Sequence, residues 1–393
     1  MQLKYSVRWE VINMITKQDR GYLRFLRKRY KIARKPEKIV ILDEFTKTSG
    51  YDRKYAIKLL LGIYQHQKKI IHRPHKIYTK EDADILGEVW KLLGWIASKR
   101  IKPQLKLAAD ELIKAGRITL SADDRKRFIG MSPATMDRLM KKYRKRPKLK
   151  GKSYTKPGTL LKSQIPIRTW DEWNENKVGF FEIDLCGHDG GIAKGDFAWT
   201  LNWTDVKVQW TEQAAVFNKA QVHVFAGIER IRARLPYPLL GLDSDSGSEF
   251  INAHLYRYCI QEHITFTRGR AGRKNDNPYV EEKNDSIVRN WVGYGRFDTQ
   301  AQVDTLNELY ELLRLYTNFF LPVMKLKKKL RIGSKIKKIH DKATTPYRRI
   351  LRAGDVSKKV KDKLRTQYKT LSLVDLKDQI NAVLRRLKPT KTG

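Results

Sequence analysis

The chain has 393 residues, more than one ordinary domain holds, with 82 Lys+Arg against 42 Asp+Glu and a formal net charge of +40. Hydrophobic residues make up 41%, enough to build cores, so the chain is not a disordered basic tail, and so large a self-repelling excess points to a polyanionic partner, DNA or RNA. Only Cys186 and Cys259 occur, outside any Cys-x-x-Cys pair, and no apolar run reaches the roughly 18–20 residues that span a bilayer, which argues against zinc fingers, disulfide frameworks and membrane spans. The charged first thirty residues hold no apolar signal region, so a cytoplasmic location is expected.

From the front, Glu37 to Lys47 reads as a helix with Ile39, Leu42 and Phe45/Thr46 on one face. Ser49-Gly50 breaks it. A second helix follows from Tyr51, with Ala56, Leu59 and Leu60 inward and Tyr51, Arg53, Lys54 and Lys58 outward. His66, His72 and His75, lacking Cys partners, read as part of a basic linker. Lys80 to Gly116 gives two more helices, and "SADDRKRFIGMSPATMDRLMKKYRKR" repeats the first pattern: a helix to Ile129, a break at Gly130, then Ser132 as N-cap with Pro133 at the first helical position. Met136, Leu139, Met140 and Tyr143 should face inward, leaving Thr135, Arg138 and Lys141 exposed. Both units fit a helix-turn-helix that reads DNA, and both equally fit a helical scaffold with a solvated basic face. Arg144 to Lys162, rich in cations with Pro and Gly, reads as a linker.

The centre changes character. Glu175 to Asp298 carries 15 Lys+Arg and 17 Asp+Glu, whereas Val323 to Gly393 carries 23 against 5, a net of +18. "VGFFEIDLCGHDGG" is a strand ending in a Gly-rich turn, and "GDFAWTLNWTDVKVQWTEQAAVFN" gives two more. Lys219 to Leu235 is a helix with Val222, Phe225, Ile228 and Ile231 near one stripe, "LLGLDSDSG" a fourth strand, Phe250 to Glu262 a helix, "ITFTRG" a fifth strand, and Tyr279 to Val292 a helix opening with "YVEEKN". That order predicts an α/β core with a mixed five-stranded sheet. Behind it, "KLRIGSKIKKI" alternates around Gly-Ser like a hairpin, and Val356–Thr370 and Ser372–Leu387 read as helices, the latter opened by Ser372 and Asp375. This basic arm suits either DNA backbone or a second subunit.

On that plan Asp184 lies on the first strand, Asp245 at the C-terminal end of the fourth, and Glu281 in the first turn of the last helix. Carboxylates from several elements are the ligands that hard divalent cations take, and two such ions roughly 3.5–4 Å apart can drive a phosphodiester displacement. Each acid has a neighbour that competes for its role, Asp243 for Asp245 and Glu282 for Glu281, and turn or helix-start acids often only cap backbone. Glu182 shares the face of Asp184 one pair deeper, while Asp189, Asp205, Glu249, Asp276 and Asp285 read as surface, turn or capping residues. Arg268, Arg270, Arg273 and Lys274 line a Gly-containing loop that reads as a flap gripping DNA, or as a solvated loop.

Asp184, Asp245 and Glu281, with 35 residues between the last two, resemble the Asp-Asp-Glu triad of the retroviral integrase superfamily. "DSDSGSEFINAHLYRYC", "ITFTRGRAGRKNDNPYVEEKN" and "VRNWVGYGRFDT" are similar to bacterial insertion-sequence transposases, over about Gly158 to Pro346, and "SGYDRKYAIKLL" fits the same type less specifically. The resemblance aligns Asp245 and Glu281 with the triad. Ser246 stands where such proteins commonly have Asn and Glu282 where Gln is frequent; neither departure removes a ligand. The resemblance implies an RNase H-like core, two Mg²⁺ ions with Mn²⁺ able to substitute, double-stranded DNA (element ends and target) as partner, a homo-oligomer on DNA, and residence on the bacterial nucleoid. The expected organisation is multidomain: all-α helix-turn-helix domains at 1–76 and 77–146, a linker at 147–170, the catalytic core at 171–322, and a basic C-terminal domain at 323–393. The expected activity is transposition, with a same-fold nuclease or a non-catalytic DNA-binding regulator as the rivals.

Overall fold

The computed structural model describes residues 17–63, 77–143, 165–166, 176–245, 247, 249–270 and 277–390. The three linker histidines, the 144–162 segment, Arg273, Lys274 and Asp276 lie outside them. The chain forms two compact units, Met1–Lys76 and Ile77–Gly393. Among the described residues no helix is long and apolar enough to cross a membrane.

The first unit is three helices, α1 (Lys17–Ile32), α2 (Lys35–Ser49) and α3 (Arg53–Leu61), around Leu26, Tyr30, Ile41, Leu42, Phe45, Ala56, Leu59 and Leu60. Gly50 ends α2 at φ 67°, a conformation that favours glycine, and Asp52 caps α3 by accepting from the Lys54 and Tyr55 amides. Ile41 takes the inward place expected for Ile39, which is 49% exposed: Ile39-Val40-Ile41-Leu42 is a continuous apolar run, and a run does not mark its own phase. Tyr51, expected outward, is half-buried against Phe45 and Tyr55.

The second unit opens with α4 (Lys80–Leu92), the short α5 (Ser98–Ile101), α6 (Leu105–Lys114), α7 (Ala122–Gly130) and α8 (Pro133–Met140). Ser132 caps α8 as expected, accepting from the Thr135 amide. Tyr143 stays 39% exposed instead of turning inward, because its hydroxyl reaches Asp84 at the surface. The sheet follows: β1 (Phe180–Gly187), β2 (Trp199–Asp205), β3 (Thr211–Val216), β4 (Gly241–Ser244) and β5 (Thr265–Arg268), in the order β3-β2-β1-β4-β5. β1–β2 and β2–β3 pair antiparallel, while β1–β4 and β4–β5 pair parallel, which is the mixed sheet the element order predicts. Helices α9 (Gln221–Arg234) and α10 (Ala253–Gln261) make the crossovers. On α9 the buried apolar residues are Val224, Ile228 and Ile231; Val222 is 69% exposed, on the outer face instead of the stripe expected for it.

After β5 comes α11 (Pro278–Lys283), which runs on through a π-helical stretch (Asn284–Arg289) into α12 (Asn290–Val292). The longest helix, α13 (Gln300–Phe320), carries no assignment from the sequence reading. The hairpin β6 (Leu326–Ile332) and β7 (Lys335–His340) is present, followed by α14 (Pro346–Arg352), α15 (Lys358–Thr370) and α16 (Leu373–Arg386). The segments read separately as 77–146, 171–322 and 323–393 share this unit, and one apolar core runs from Leu86 and Phe128 through Phe181 and Trp203 to Tyr310, Ile380 and Val383. The apolar face of α16, within the arm read as suiting DNA backbone or a second subunit, packs inside the chain. There the Lys377 amine stands 3.9 Å from the ring centre of Trp291 and 5.0 Å from that of Trp95.

Helix α13 also closes the sheet edge. Asn318 accepts from the Thr211 amide at 2.9 Å and donates to the Thr211 carbonyl at 2.8 Å, and Asn307 does the same at Ala215, at 2.9 and 3.0 Å. Two asparagine amides thus do for β3 what a sixth strand would do, satisfying buried backbone and removing an open edge. Asn318→Leu, of similar volume, leaves a buried N–H and C=O unpaired. It is expected to cost roughly 2–5 kcal/mol, read as a lowered midpoint of urea unfolding.

Candidate active site

The parallel register of β1 on β4 ends with Ile183 beside Ser244, so Asp184 and Asp245 are the next residues of each strand, side by side where β4 stops. Asp184 is half-buried. Its Oδ1 accepts from the Leu185 amide at 2.8 Å and its Oδ2 from Asn284 Nδ2 at 2.6 Å. Asp245 is held by the turn after β4, where the Gly247 amide donates to its Oδ1 at 2.9 Å. A Cβ on Gly247 would stand 2.7 Å from the Glu249 carboxyl carbon and 2.9 Å from that same Oδ1, so a side chain there would displace both carboxylates. Glu281 is exposed in the first turn of α11.

The start of α11 is fixed by Glu182, which is wholly buried on β1. Its Oε2 accepts from the Tyr279 amide at 2.7 Å and the Val280 amide at 2.8 Å, the free donors of a helix N-terminus. One turn on, Asn284 bridges. While its amide nitrogen holds Asp184, its Oδ1 accepts from Asn202 Nδ2 at 2.9 Å, and Asn202 Oδ1 accepts from Gln213 Nε2 at 2.9 Å. At the far end of the π-helical stretch, Arg289 donates to the Gly187 carbonyl at 2.7 Å. Glu182, Asn284 and Arg289 carry no sequence signal of their own kind. Only the alternation that puts Glu182 on the face of Asp184 hinted at the first.

The electrostatics separate the competing acids. Burial first, then Asp245, and more weakly Glu281, push the Asp184 carboxyl up to about 8. Burial and then Glu249 push Asp245 up to about 6, with Lys219 pulling the other way. Asp243 is buried one pair deeper, beside Glu182 in the register and bonded by the Thr267 hydroxyl; burial, with Asp243 adding to it, raises Glu182 well above the usual carboxylate range. Glu282 turns away to Lys283 and Arg100, at 3.9 Å from the latter, and these cations hold it below its ordinary value despite burial. Glu249, read as a surface or turn residue, is buried beside Asp245 because Phe250 and Ile251, both buried, draw its turn into the core. Asp205 and Asp189 do cap turns, accepting from Lys207 and Val208 and from Gly191 respectively.

The donor set fits a hard divalent cation in kind, since it is all carboxylate oxygen with like charges facing one another. Its spacing is open: among the described residues no three His, Cys, Asp or Glu side chains stand close enough together to hold an ion as they are. Among the basic residues, Arg53, Lys54, Lys58, Arg138, Lys141 and Arg270 are exposed. Arg53 pairs with Asp43, Arg138 donates to Thr135 at 3.0 Å, and Thr135 is half-buried in the α8 cap. Arg268 corrects the flap reading. It is 8% exposed and donates to the Ile165 carbonyl at 3.1 Å, because it belongs to the covered strand β5 and not to the loop beyond.

No family model matches the chain. Among solved structures, it is similar to the catalytic core domain of BIV integrase (19% identity, TM-score 0.30, covering 44% of this chain and 94% of that one). It is also similar to the HTLV-2 integrase catalytic core domain in complex with magnesium, in its dimeric form (14% identity, TM-score 0.28, 37% and 88%). Among curated proteins, "Uncharacterized protein y4rM" of Sinorhizobium fredii is 34% identical over 322 residues, 82% of this chain and 91% of that protein. At that identity and coverage, the chain belongs to the same family as y4rM.

Proposed function

We propose that this protein is a DNA transposase, a divalent-metal-dependent polynucleotidyl transferase that frees the 3′ ends of a mobile element and joins them to target DNA. The observation that carries the reading is the placement of Asp184 on β1 beside Asp245 where β4 ends, with Glu281 in the first turn of α11, in a chain of net charge +40. A basic protein gathers carboxylates at the mouth of its central sheet for a reason, and holding cations against a phosphate is the reason that suits the charge around them.

Asp184, Asp245 and Glu281 would hold two Mg²⁺ ions, or Mn²⁺ in their place, which when bound stabilise the attacking and leaving oxygens of a phosphodiester displacement. Asn284 fixes the rotamer of Asp184, and Glu182 fixes the helix that presents Glu281. In the first step water adds to phosphorus at the element end while the bond to the 3′ oxygen breaks, and the proton ends on the released 3′-hydroxyl. In the second that hydroxyl attacks a target phosphodiester, and its proton ends on the displaced target 3′-oxygen. Outward residues of the two helical units (Arg53, Lys54 and Lys58; Thr135, Arg138 and Lys141) would meet the element ends. Arg270, with Arg273 and Lys274, would flank the DNA near the carboxylates, and two copies would hold two ends.

Incubating the protein with a labelled element end, a target plasmid and Mg²⁺ tests the whole reading. Nicking without joining would make it a nuclease; binding without either would make it a regulator. Asp184→Asn, Asp245→Asn and Glu281→Gln are each expected to abolish cleavage and joining while end binding stays within about twofold. An Asp245→Asn protein that keeps its activity beside a dead Asp243→Asn would reassign the second ligand.

The raised acids give a pH signature independent of turnover. An acid whose folded value lies above its unfolded one destabilises the fold progressively as pH rises between the two, here from about 4 to about 8 for Asp184. Without divalent cations, Asp184→Asn should therefore melt higher than the wild type at pH 8 and no higher at pH 4. Mg²⁺ should stabilise the wild type more at pH 8 than at pH 6, since its ligands must shed protons to bind, and should do little for the variant. A melting curve series checks both.

If Arg138 or Arg53 contacts a base edge, its replacement by Ala costs about 1–3 kcal/mol of end binding and relaxes preference at that base pair. Gel shifts of the full chain on end and random duplex decide it. The full chain is required because α8 shares its core with the sheet.

A further inference from the structure

We propose that the β6–β7 hairpin is a two-stranded ribbon that lies in the major groove of duplex DNA and grips the phosphates of both groove walls. The inference deepens the transposase reading, on which its choice of DNA rests, but the observations come from the hairpin itself.

From Leu326 to His340 the hairpin holds seven Lys+Arg and no Asp or Glu. Every residue from 331 to 340 is exposed, on both faces, including Ile332 at 64% and Ile336 at 61%. A two-stranded ribbon with no covered face is marginal in water, and this one adds a further penalty. In its register Lys329 stands directly opposite Lys338, a like-charge pair that destabilises a ladder. Lys328, Lys335 and Lys337 lie on one face, and Lys329, Arg331 and Lys338 on the other. Cations on both faces suit a ligand that surrounds the ribbon with negative charge, as the two walls of a groove do, better than one presenting a single anionic surface.

The dimensions agree. Seven residues of strand extend about 23 Å and two strands stand about 4.8 Å apart, while the major groove, about 12 Å wide, admits a two-stranded ribbon. The root of the ribbon is stiff and lies by the candidate active site. Val323 and Thr344 exchange backbone hydrogen bonds at 3.0 and 3.1 Å, and Asp341 accepts from the Lys325 amide and from Arg349, both at 2.7 Å. Lys325 stands 5.7 Å from the ring centre of Tyr279, two residues before Glu281 on the same helix. DNA seated on the ribbon is thereby led toward the carboxylates.

The test uses the full chain with Lys328, Lys329, Lys337 and Lys338 all changed to Gln, and a second variant with all four changed to Arg. Anisotropy of a labelled random 30-base-pair duplex is followed from 50 to 200 mM salt. The Gln variant should keep the wild-type melting temperature and flatten the slope of log K against log salt by about 3–4 units. That makes its affinity loss over this range about a hundredfold smaller than the wild type's. The Arg variant should bind like the wild type. Methyl green, a major-groove ligand, should compete with the lysine-dependent part of binding, and netropsin, a minor-groove ligand, should not; the reverse would overturn the groove assignment. An unchanged salt slope in the Gln variant overturns the ribbon and leaves the DNA reading standing. If that variant also self-associates in sedimentation, the lysines guard a sheet edge instead. A wild type that binds no duplex overturns both.

Discussion

A carboxylate sealed from solvent holds the helix on which the candidate active site depends. Glu182 is wholly buried on the central strand, yet it accepts from two amides at the start of α11 at 2.7 and 2.8 Å. A buried carboxyl is expensive unless hydrogen-bonded, and helix-terminal N–H groups are equally expensive unless they find an acceptor. Each is the other's remedy, so the helix start has one favourable place on the sheet. Two further ties run along the same strand, Asn284 to Asp184 and Arg289 to Gly187. These residues are five apart, a spacing that an α-helix would splay by about 140°. The π-helical stretch between them brings both onto the side that faces β1.

The helix clasped at three points carries Glu281 in its first turn, beside a strand pair that sets Asp184 against Asp245. Burial raises both aspartates, with Asp245 adding to it at Asp184 and Glu249 at Asp245, so the folded chain carries an unfavourable concentration of like charge at this place. Arg100 and Lys283 are engaged by Glu282, and Arg268 by a backbone carbonyl. At Asp245 the Gly247 amide and, more weakly, Lys219 act to lower it. On the proposed function, an external cation would convert this repulsion into affinity, and the open spacing of the side chains would leave the ion to draw them together.

The sequence made the sheet legible because β1 to β5 are short runs of strong strand formers bounded by Gly, Asp and Asn, and the helix start at Ser132 follows from a side chain that caps with Pro133 behind it. Phase within an apolar run was not legible, which is why Ile39 and Val222 changed places with Ile41 and Val224. Helix α13 went unassigned although Thr299 and Gln302 form a capping box at its start, since its inward face mixes Asn307, Tyr310, Tyr316 and Asn318 with the leucines and blurs the stripe. The competition between Asp243 and Asp245 needed the register, because only pairing shows that one acid sits inside the sheet and the other just past its end. Asn284 could not be read at all, and Glu182 only as a neighbour on the face of Asp184. Their roles are relations to residues about a hundred positions away, and composition holds no trace of such distances.

Composition also suggested modules, a basic front, a near-neutral centre and a basic back, where packing made one body from residue 77 onward. Charge reports on surfaces and is silent about which apolar faces meet beneath them. Here α16 lays its buried stripe into the core, Lys377 is sandwiched between Trp95 from the front helices and Trp291 from α12, and Arg100 from α5 reaches Glu282, next to Glu281. A displacement in line tolerates little error in the placement of its reacting groups, and misplacement by about 1 Å can cost on the order of a hundredfold in rate. A flexible tether between a DNA-holding surface and the carboxylates would spread that error over many ångströms. On the proposed function, building α8, the hairpin root and the acid-bearing helix into one body removes the tether, so DNA on these surfaces would inherit the positional accuracy of the core itself.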